Sequence, residues 1–192
     1  TKFINENIKF LKLKNKLLKI KNKNTYESLT EQIKYSDSPI STISNFINFL
    51  LLKSVRKDQF KVILSGNGAD EIFSGYYHHF LLQLEYLKKT NIKEYNAHLK
   101  DWKNYIKPMI RNPYLKDLSL KYKKMNFENE KKIKGFLRFK PNTNSNERYF
   151  TSDPLRNNML NEIFFKTLPV ALHHEDLNSM YYSIENRSPF LD

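Results

Sequence analysis

The sequence contains no cysteine, and only four of its 192 residues are glycine. Without cysteine the chain can form no disulfide, no thiolate zinc site and no cysteine nucleophile of its own. No apolar run reaches the roughly 20 residues that a membrane-spanning helix needs. The longest such run, around Phe46 to Leu52, is interrupted by Asn48, and the residues after Thr1 do not resemble a signal peptide. We therefore expect a cytoplasmic protein with no membrane partner.

Acidic residues are scarce relative to basic ones. The chain has 33 Lys and Arg against 20 Asp and Glu, a formal net charge of +13 at pH 7. Such an excess of basic residues makes nucleic acid a candidate partner. The lysines are, however, spread along the whole chain among Asn, Ile and Phe, which is typical of a solvated basic surface. We expect no nucleic-acid partner; a nucleic-acid binder would lose affinity steeply as salt is added.

The length of 192 residues predicts one domain, residues 1–192, and the apolar pattern along it predicts several helices. The first 35 residues predict a short extended start and then a lysine-rich helical pattern with apolar positions Leu11, Leu17, Leu18 and Ile20. In the next segment Ser38 predicts a helix cap and Pro39 a first-turn proline. The apolar face of that helix is predicted to be Ile43, Phe46, Ile47, Leu50 and Leu51.

Three further helical stripes follow. They run from Tyr77 to about Leu87, from Ile92 to about Ile110 with Pro108 marking the end, and from Leu155 to Lys166. The polar, proline-flanked segment from Lys140 to Pro154 predicts a loop or lid.

Three of the four glycines lie in "SGNGADEIFSGYY", directly after the apolar run "KVIL". This pattern predicts a buried strand that enters a turn and then a helix. The glycines would let a phosphate approach backbone N–H groups, but Asp70 and Glu71 would repel it unless a hard cation such as Mg²⁺ lay between them. The pattern therefore indicates an Mg-nucleotide site. An ordinary strand–turn–helix junction with an exposed acidic cap is an equally open interpretation, because the spacing matches no common phosphate motif.

Two longer motifs carry a resemblance. "VILSGNGADEIFSGY" resembles the "LSGxGxDExFxGY" signature of asparagine synthetases, and "HHEDLNSMYYSIENRSPFLD" resembles their second signature. The two occur in the family's order, and the resemblance extends from Asp37 to Asp192. It implies an α/β fold, with a partial parallel sheet flanked by helices, of the N-type ATP pyrophosphatase kind, helix-rich in its second half.

The resemblance also implies an activity. Members bind ATP with Mg²⁺, transfer AMP to a carboxylate such as the aspartate side chain, and let ammonia displace AMP to form the amide. By position, Ser65, Gly66 and Asn67 fall where the family contacts ATP, and Asp70 falls where an acid binds Mg²⁺ and pyrophosphate. The remaining matches, which we interpret as structural, are Glu71, Asp176, Ser179, Met180, Glu185 and Arg187.

Asn67 departs from the family pattern. Asparagine synthetases usually have Glu at this position, where its carboxylate takes part in forming and consuming the acyl-adenylate. Asn forms hydrogen bonds but takes no proton at neutral pH. Two alternatives therefore stay open: an amidotransferase of the same fold that acts on another carboxylate, such as a sugar acid of a surface polysaccharide, and a binding module without catalysis.

Several family segments are not found in this sequence. They are the pyrophosphate loop "SGGxDS", the catalytic lysine beyond "PFLD", and the glutaminase domain that supplies ammonia from an N-terminal cysteine. We expect the chain to be an internal fragment of a larger synthetase that is inactive by itself. The assembly that we consider for the synthetase is a homodimer.

Two histidine pairs, His78–His79 and His173–His174, suggest a metal, the second pair with Glu175 and Asp176 beside it. Adjacent helical residues point about 100° apart, and the spacing is not HExxH. We therefore expect neither pair to chelate zinc.

Overall fold

The structure, a computed structural model, describes residues 2–19, 25–118 and 147–192. Its helices are α1 (Lys2–Phe10), α2 (Thr25–Ser36), α3 (Ile43–Lys57), α4 (Ala69–Phe73), α5 (Tyr77–Thr90), α6 (Ile92–Asp101), α7 (Pro154–Phe164) and α8 (Thr167–Tyr181). The strands are β1 (Val62–Leu64) and β2 (Glu185–Arg187). A π-helical turn covers Trp102–Ile106, and 3₁₀ turns cover Lys107–Met109, Pro113–Lys116 and Pro189–Leu191. This α-rich chain with a small parallel sheet is compatible with the predicted α/β class.

The chain divides into two compact units. Unit 1 comprises Thr1–Ser65 and His173–Arg187, and unit 2 comprises Gly66–Leu172 and Ser188–Asp192. Within the described residues, no helix combines the length and the apolar character needed to cross a membrane.

Helix α3 supplies the core of unit 1. Its buried side chains are Phe46, Phe49 and Leu52, and the Phe49 ring lies 5.1 Å from that of Tyr181 and 4.9 Å from that of Tyr182. The predicted helix is confirmed, but its predicted cap is wrong, because the helix begins after Thr42 and Ser38 and Pro39 precede it. The predicted face is also partly wrong, since the apolar stripe is wider than the surface that its neighbours cover. The exposed members are Ile43, Ile47 and Leu51.

Buried amides join α2, α3 and α8 inside unit 1. Asn178 accepts a hydrogen bond from Gln32 Nε2 at 2.9 Å. It donates to the Asn45 carbonyl at 3.0 Å and to Asn48 Oδ1 at 3.1 Å. Gln32 and Asn178 are both buried, so these bonds offset the cost of removing the amides from water. The helix that carries the second signature is therefore fixed in direction by polar contacts.

Strands β1 and β2 pair in parallel, with Val62 opposite Glu185 and Leu64 opposite Arg187. The predicted strand is confirmed, but the expectation that it is buried is wrong, since Val62 is 44% exposed and Leu64 74% exposed. Among the described residues β1 has a single strand partner, so one edge is paired and the side chains on both faces keep contact with solvent.

The amino-terminal prediction is partly wrong: its helical pattern is confirmed in α2 (Thr25–Ser36), but the predicted extended start and the helical positions before residue 20 are not. The chain starts with α1, and its described continuation to residue 19 contains no helix. Ile4 and Ile8 are four residues apart, which places them on one helical face and favours a helix over an extended strand. Leu17 is 74% exposed, and Ile20 lies outside the described residues.

Helix α5 is central in unit 2 and packs against α6 and α7. Leu81 and Leu84 of α5 form a buried cluster with Trp102 and Ile110. The helical predictions for this region are confirmed, although the π-helical turn that carries Trp102 was not predicted. Pro108 lies in the 3₁₀ turn that ends the stripe.

Residues 147–153 lead into α7 without helix or strand. The fully buried Asn161 side chain accepts from the Arg148 N–H and donates to the Arg148 carbonyl, both at 2.7 Å. Asp153 caps α7 by accepting from the N–H groups of Leu155 and Arg156. The predicted helix is thus confirmed, and the predicted loop from Lys140 to Pro154 is described only from residue 147; its earlier part lies outside the described residues.

Candidate functional site

The first signature forms a turn that depends on glycine at Gly68. This residue has φ +90° and precedes α4, a backbone conformation that favours glycine because it has no Cβ. A Cβ at Gly68 would also overlap the Leu191 side chain. Phe190 packs edge-on against Phe73, with ring centroids 5.8 Å apart. The end of the second signature is therefore seated on the first within unit 2.

Gly75 is in close contact with Asp70. A Cβ at this position would overlap the Asp70 carboxylate, which lies directly against it. Ser74 has φ +65°, and this local reversal of the chain brings Gly75 back to Asp70. The Asp70 side chain remains exposed.

Gly66 has neither constraint. No atom lies within 4 Å of where its Cβ would be, and its φ is not in the left-handed region. Beside it, Asn67 is partly buried. The turn thus presents open space at Gly66, which a ligand can approach without meeting a side chain.

The two adjacent acids of the first signature have different surroundings. Glu71 is only 4% exposed, and it accepts a 2.6 Å hydrogen bond from the Tyr76 hydroxyl. Burial and this hydrogen bond raise the pKa of Tyr76 well above its usual range. Glu71 is therefore held inside unit 2, and Asp70 is the acid that faces solvent.

The second-signature residues from His173 to Arg187 lie in unit 1. Glu185 accepts from Arg187 Nε at 2.7 Å, and both side chains are more than half exposed. The backbone carbonyl of Asp176 accepts from Ser179 Oγ at 3.0 Å. Ser65, at the end of β1, donates its N–H to the Arg187 carbonyl at 2.8 Å. This contact brings one proposed nucleotide residue beside a residue of the second signature.

His78 and His79 converge on one carboxylate, so the expectation that this pair diverges is wrong. His78 Nε2 lies 2.8 Å from Glu162 Oε1, and His79 Nε2 lies 2.8 Å from Glu162 Oε2. The Cβ directions differ, but the imidazole rings turn towards each other, with centroids 4.5 Å apart. His78, His79 and Glu162 form a group of three side chains that could hold a metal ion. In the described part of the chain, His173 and His174 belong to no such group.

Glu162 was not predicted as a site residue. It lies in α7, far along the sequence from α5, and nothing in the local pattern distinguishes it from other acids of a helical stripe. Burial alone would raise the pKa of Glu162, but hydrogen bonds with His78, His79 and Asn158 outweigh burial and lower its pKa to about 2. Glu162 is therefore a buried carboxylate in the ionised state at neutral pH.

The comparison with known families covers the whole chain. The family described as Asparagine synthase matches residues 1–192, including the amino-terminal residues that neither signature reaches. No curated protein matches the chain, and no solved structure matches it. The family uses ATP as a substrate, and its domain indicates ATP-dependent amidoligase activity on small molecules. The recognition made from the two signatures is confirmed, and the chain belongs to the asparagine synthase family.

Proposed function

We propose that the chain is part of an ATP-dependent ligase that adenylates a carboxylate, aspartate being the first candidate, and transfers ammonia to it to give asparagine. The observation that carries this proposal is the exposed Asp70 carboxylate, held against Gly75 and close in sequence to the open turn at Gly66, in a chain that matches this family over its full length. Ser65, Gly66 and Asn67 bind the nucleotide, and Asp70 holds Mg²⁺.

The donor chemistry fits Mg²⁺. This ion prefers oxygen ligands and is usually bound by one or two carboxylates, with water and substrate phosphates in the other positions. Asp70 offers one such carboxylate at the surface, whereas Glu71 is engaged by Tyr76. When bound, Mg²⁺ neutralises charge on the phosphates of ATP. The missing Cβ at Gly66 lets those phosphates approach the backbone.

The proposed reaction has two steps. A carboxylate oxygen of the acceptor attacks the α-phosphorus of ATP, and the bond to pyrophosphate breaks. The nitrogen of ammonia then attacks the acyl carbon, AMP leaves with the bonding electrons, and the nitrogen loses a proton. Adenylation supplies a good leaving group, and the turn holds the reactants in position.

Asn67 favours a second candidate function. Its amide can donate and accept hydrogen bonds but takes no proton at neutral pH, so the base for ammonia transfer must come from another residue. An acceptor other than aspartate, such as a sugar acid, would make the protein an amidotransferase of the same fold. Binding of ATP without turnover of any acceptor would instead identify a binding module.

We also propose that residues 1–192 form part of one domain with the N-type ATP pyrophosphatase fold. In this proposal the rest of the protein supplies the pyrophosphate loop and the carboxy-terminal end of the domain.

The test is Mg²⁺-dependent ATP binding by the whole protein, followed by pyrophosphate release on adding aspartate. Asp70→Asn should abolish Mg²⁺-dependent binding, because it removes the charge that holds the ion. Asp101→Asn, which changes an exposed acid of α6, is the matched control and should bind as wild type does. Equal binding by wild type and Asp70→Asn would refute the role of Asp70. Release with a sugar acid but not with aspartate would support the second candidate.

A further inference from the structure

We propose that His78, His79 and Glu162 form a binding site for a divalent transition metal of the zinc class. The candidate ligand atoms are the two Nε2 atoms and a carboxylate oxygen, which all lie within 4.8 Å of one another. His79 and Glu162 are buried, at 1% and 5% exposure, whereas the His78 side chain is 25% exposed. The site is thus enclosed on two sides and reaches solvent beside His78.

The ligand set matches zinc chemistry. Two imidazole nitrogens and one carboxylate oxygen are the protein ligands of zinc sites that keep a fourth position for water or an anion. With metal–ligand distances of about 2.0–2.1 Å, ligands around a tetrahedral ion lie about 3.3 Å apart. The present 2.8 Å contacts, which go to different oxygens of Glu162, would therefore have to open by about half an ångström, and wider separations among the ligand atoms, up to 4.8 Å, would have to close. The side chains therefore have to rearrange by this amount when the metal binds.

The surrounding groups orient these ligands as metal ligands require. Ser74 Oγ lies 3.2 Å from His79 Nδ1, so Nδ1–H can donate to Ser74 and leave the Nε2 lone pair for the metal. The Asn158 amide forms a hydrogen bond with the Glu162 carboxylate, and its Nδ2 also lies 3.3 Å from His78 Nε2, a contact that the metal would replace. The Tyr76 ring stacks on the His78 ring, with centroids 5.5 Å apart and planes 10° from parallel.

The alternative is a simple hydrogen-bonded clamp in which each imidazole N–H donates to Glu162. Both arrangements tie α5 to α7, but they differ in metal affinity. A clamp holds its protons and binds no ion, whereas the proposed site exchanges the 2.8 Å contacts for bonds to a metal. Binding of Zn²⁺, or of Co²⁺ as a spectroscopic probe, therefore separates the two.

The experiment uses the whole protein without an affinity tag, stripped with a chelator and dialysed against Zn²⁺ in Mg²⁺ buffer. Bound zinc is measured by atomic emission, and the Kd by competition with a chromophoric chelator. Wild type should bind one equivalent, and Co²⁺ should give the visible absorption of a four- or five-coordinate site with nitrogen ligands. His78→Gln changes the most exposed ligand and should weaken binding at least about 100-fold, since the loss of an outer-shell partner alone costs about 10–100-fold.

Three further variants, two of them controls, make the result decisive. The double variant His173→Gln/His174→Gln removes the other histidine pair and should bind as wild type does. Asp70→Asn should also leave zinc binding unchanged, which separates this site from the proposed Mg²⁺ site. Ser74→Ala should weaken binding about 10–100-fold if Ser74 orients His79. Circular dichroism on each variant confirms that the fold is retained. Failure of wild type to bind one equivalent of Zn²⁺, or equal binding by wild type and His78→Gln, would overturn the proposal.

Discussion

The substitution Gly68→Ala tests how the two signatures meet. Gly68 has φ +90°, and an added Cβ would overlap the Leu191 side chain. Alanine in the left-handed region costs about 1–2 kcal/mol, and the overlap adds about 1–3 kcal/mol, the usual cost of an overpacked site. We therefore expect Gly68→Ala to lower the free energy of unfolding by about 2–5 kcal/mol.

Gly66→Ala is the matched control, two residues earlier in the same turn. The position has no positive φ and no atom within 4 Å of the added Cβ, so we expect a change within about 1 kcal/mol, in either direction. Both substitutions restrict the unfolded chain equally. The difference between them therefore reports the folded state alone.

The assay is equilibrium unfolding in urea of the whole protein, followed by circular dichroism. Leu191→Ala, alone and combined with Gly68→Ala, completes a double-mutant cycle. The shorter side chain removes the overlap but not the backbone strain. The loss of unfolding free energy in the combined variant should therefore be smaller than the sum of the two single losses by about 1–3 kcal/mol, which is the overlap contribution. Equal tolerance of alanine at Gly66 and Gly68, or strict additivity with Leu191→Ala, would refute this account of the turn.

Three further predictions concern the interior. Phe49→Ala, at a fully buried ring, should cost about 3–5 kcal/mol, whereas Ile47→Ala, on the exposed side of the same helix, should cost less than about 1 kcal/mol; urea unfolding measures both. Tyr76→Phe removes the donor to the buried Glu71 carboxylate and should cost about 1–3 kcal/mol in the same assay. The raised pKa of Tyr76 also predicts alkaline sensitivity. Its contribution to stability is complete below its unfolded pKa of 10.0 and is lost as the pH rises from there towards the higher folded value. Thermal unfolding between pH 9 and 11 should show a shallower decline for Tyr76→Phe than for wild type.

Local patterns predicted the helices of unit 2 well. The stripe of Leu81 and Leu84 recurs at helical spacing and does form the buried face of α5. Helix α7 was predicted for the same reason. The signal is strong in such segments because one face of the helix carries the apolar residues that the core requires.

The errors arise where the fold outside a segment decides its environment. The predicted apolar face of α3 included Ile47, which is exposed, and omitted Phe49, which is buried. The sequence contains no information on which side Tyr181 will cover. Likewise, the apolar run of β1 is typical of a buried strand, but its exposure depends on which strands flank it.

The candidate sites differ in the same way: one is made of residues adjacent in sequence, and the other of residues that packing brings together. Asp70 could be proposed from sequence because a glycine turn and an adjacent acid are neighbours along the chain. Glu162 could not be found, because its relation to His78 and His79 exists only after α5 and α7 pack together. The argument from helical spacing considered the two imidazoles alone and omitted a third residue that both can reach.

The parallel pairing of β1 with β2 has a consequence for the order of folding. Val62 pairs with Glu185, which lies far along the chain, so this pairing closes a long loop. The conformational entropy of the loop is lost before the strand contacts contribute any stability. Contacts of such sequence separation form slowly, and β2 is synthesised long after β1. Until then the apolar residues of β1 have no partner strand in β2, and Gly68 has no packing contact with the Leu191 side chain. The first signature is thus the segment whose support arrives last, and slow synthesis or a weakened β2 would leave its unpaired edge open to aggregation.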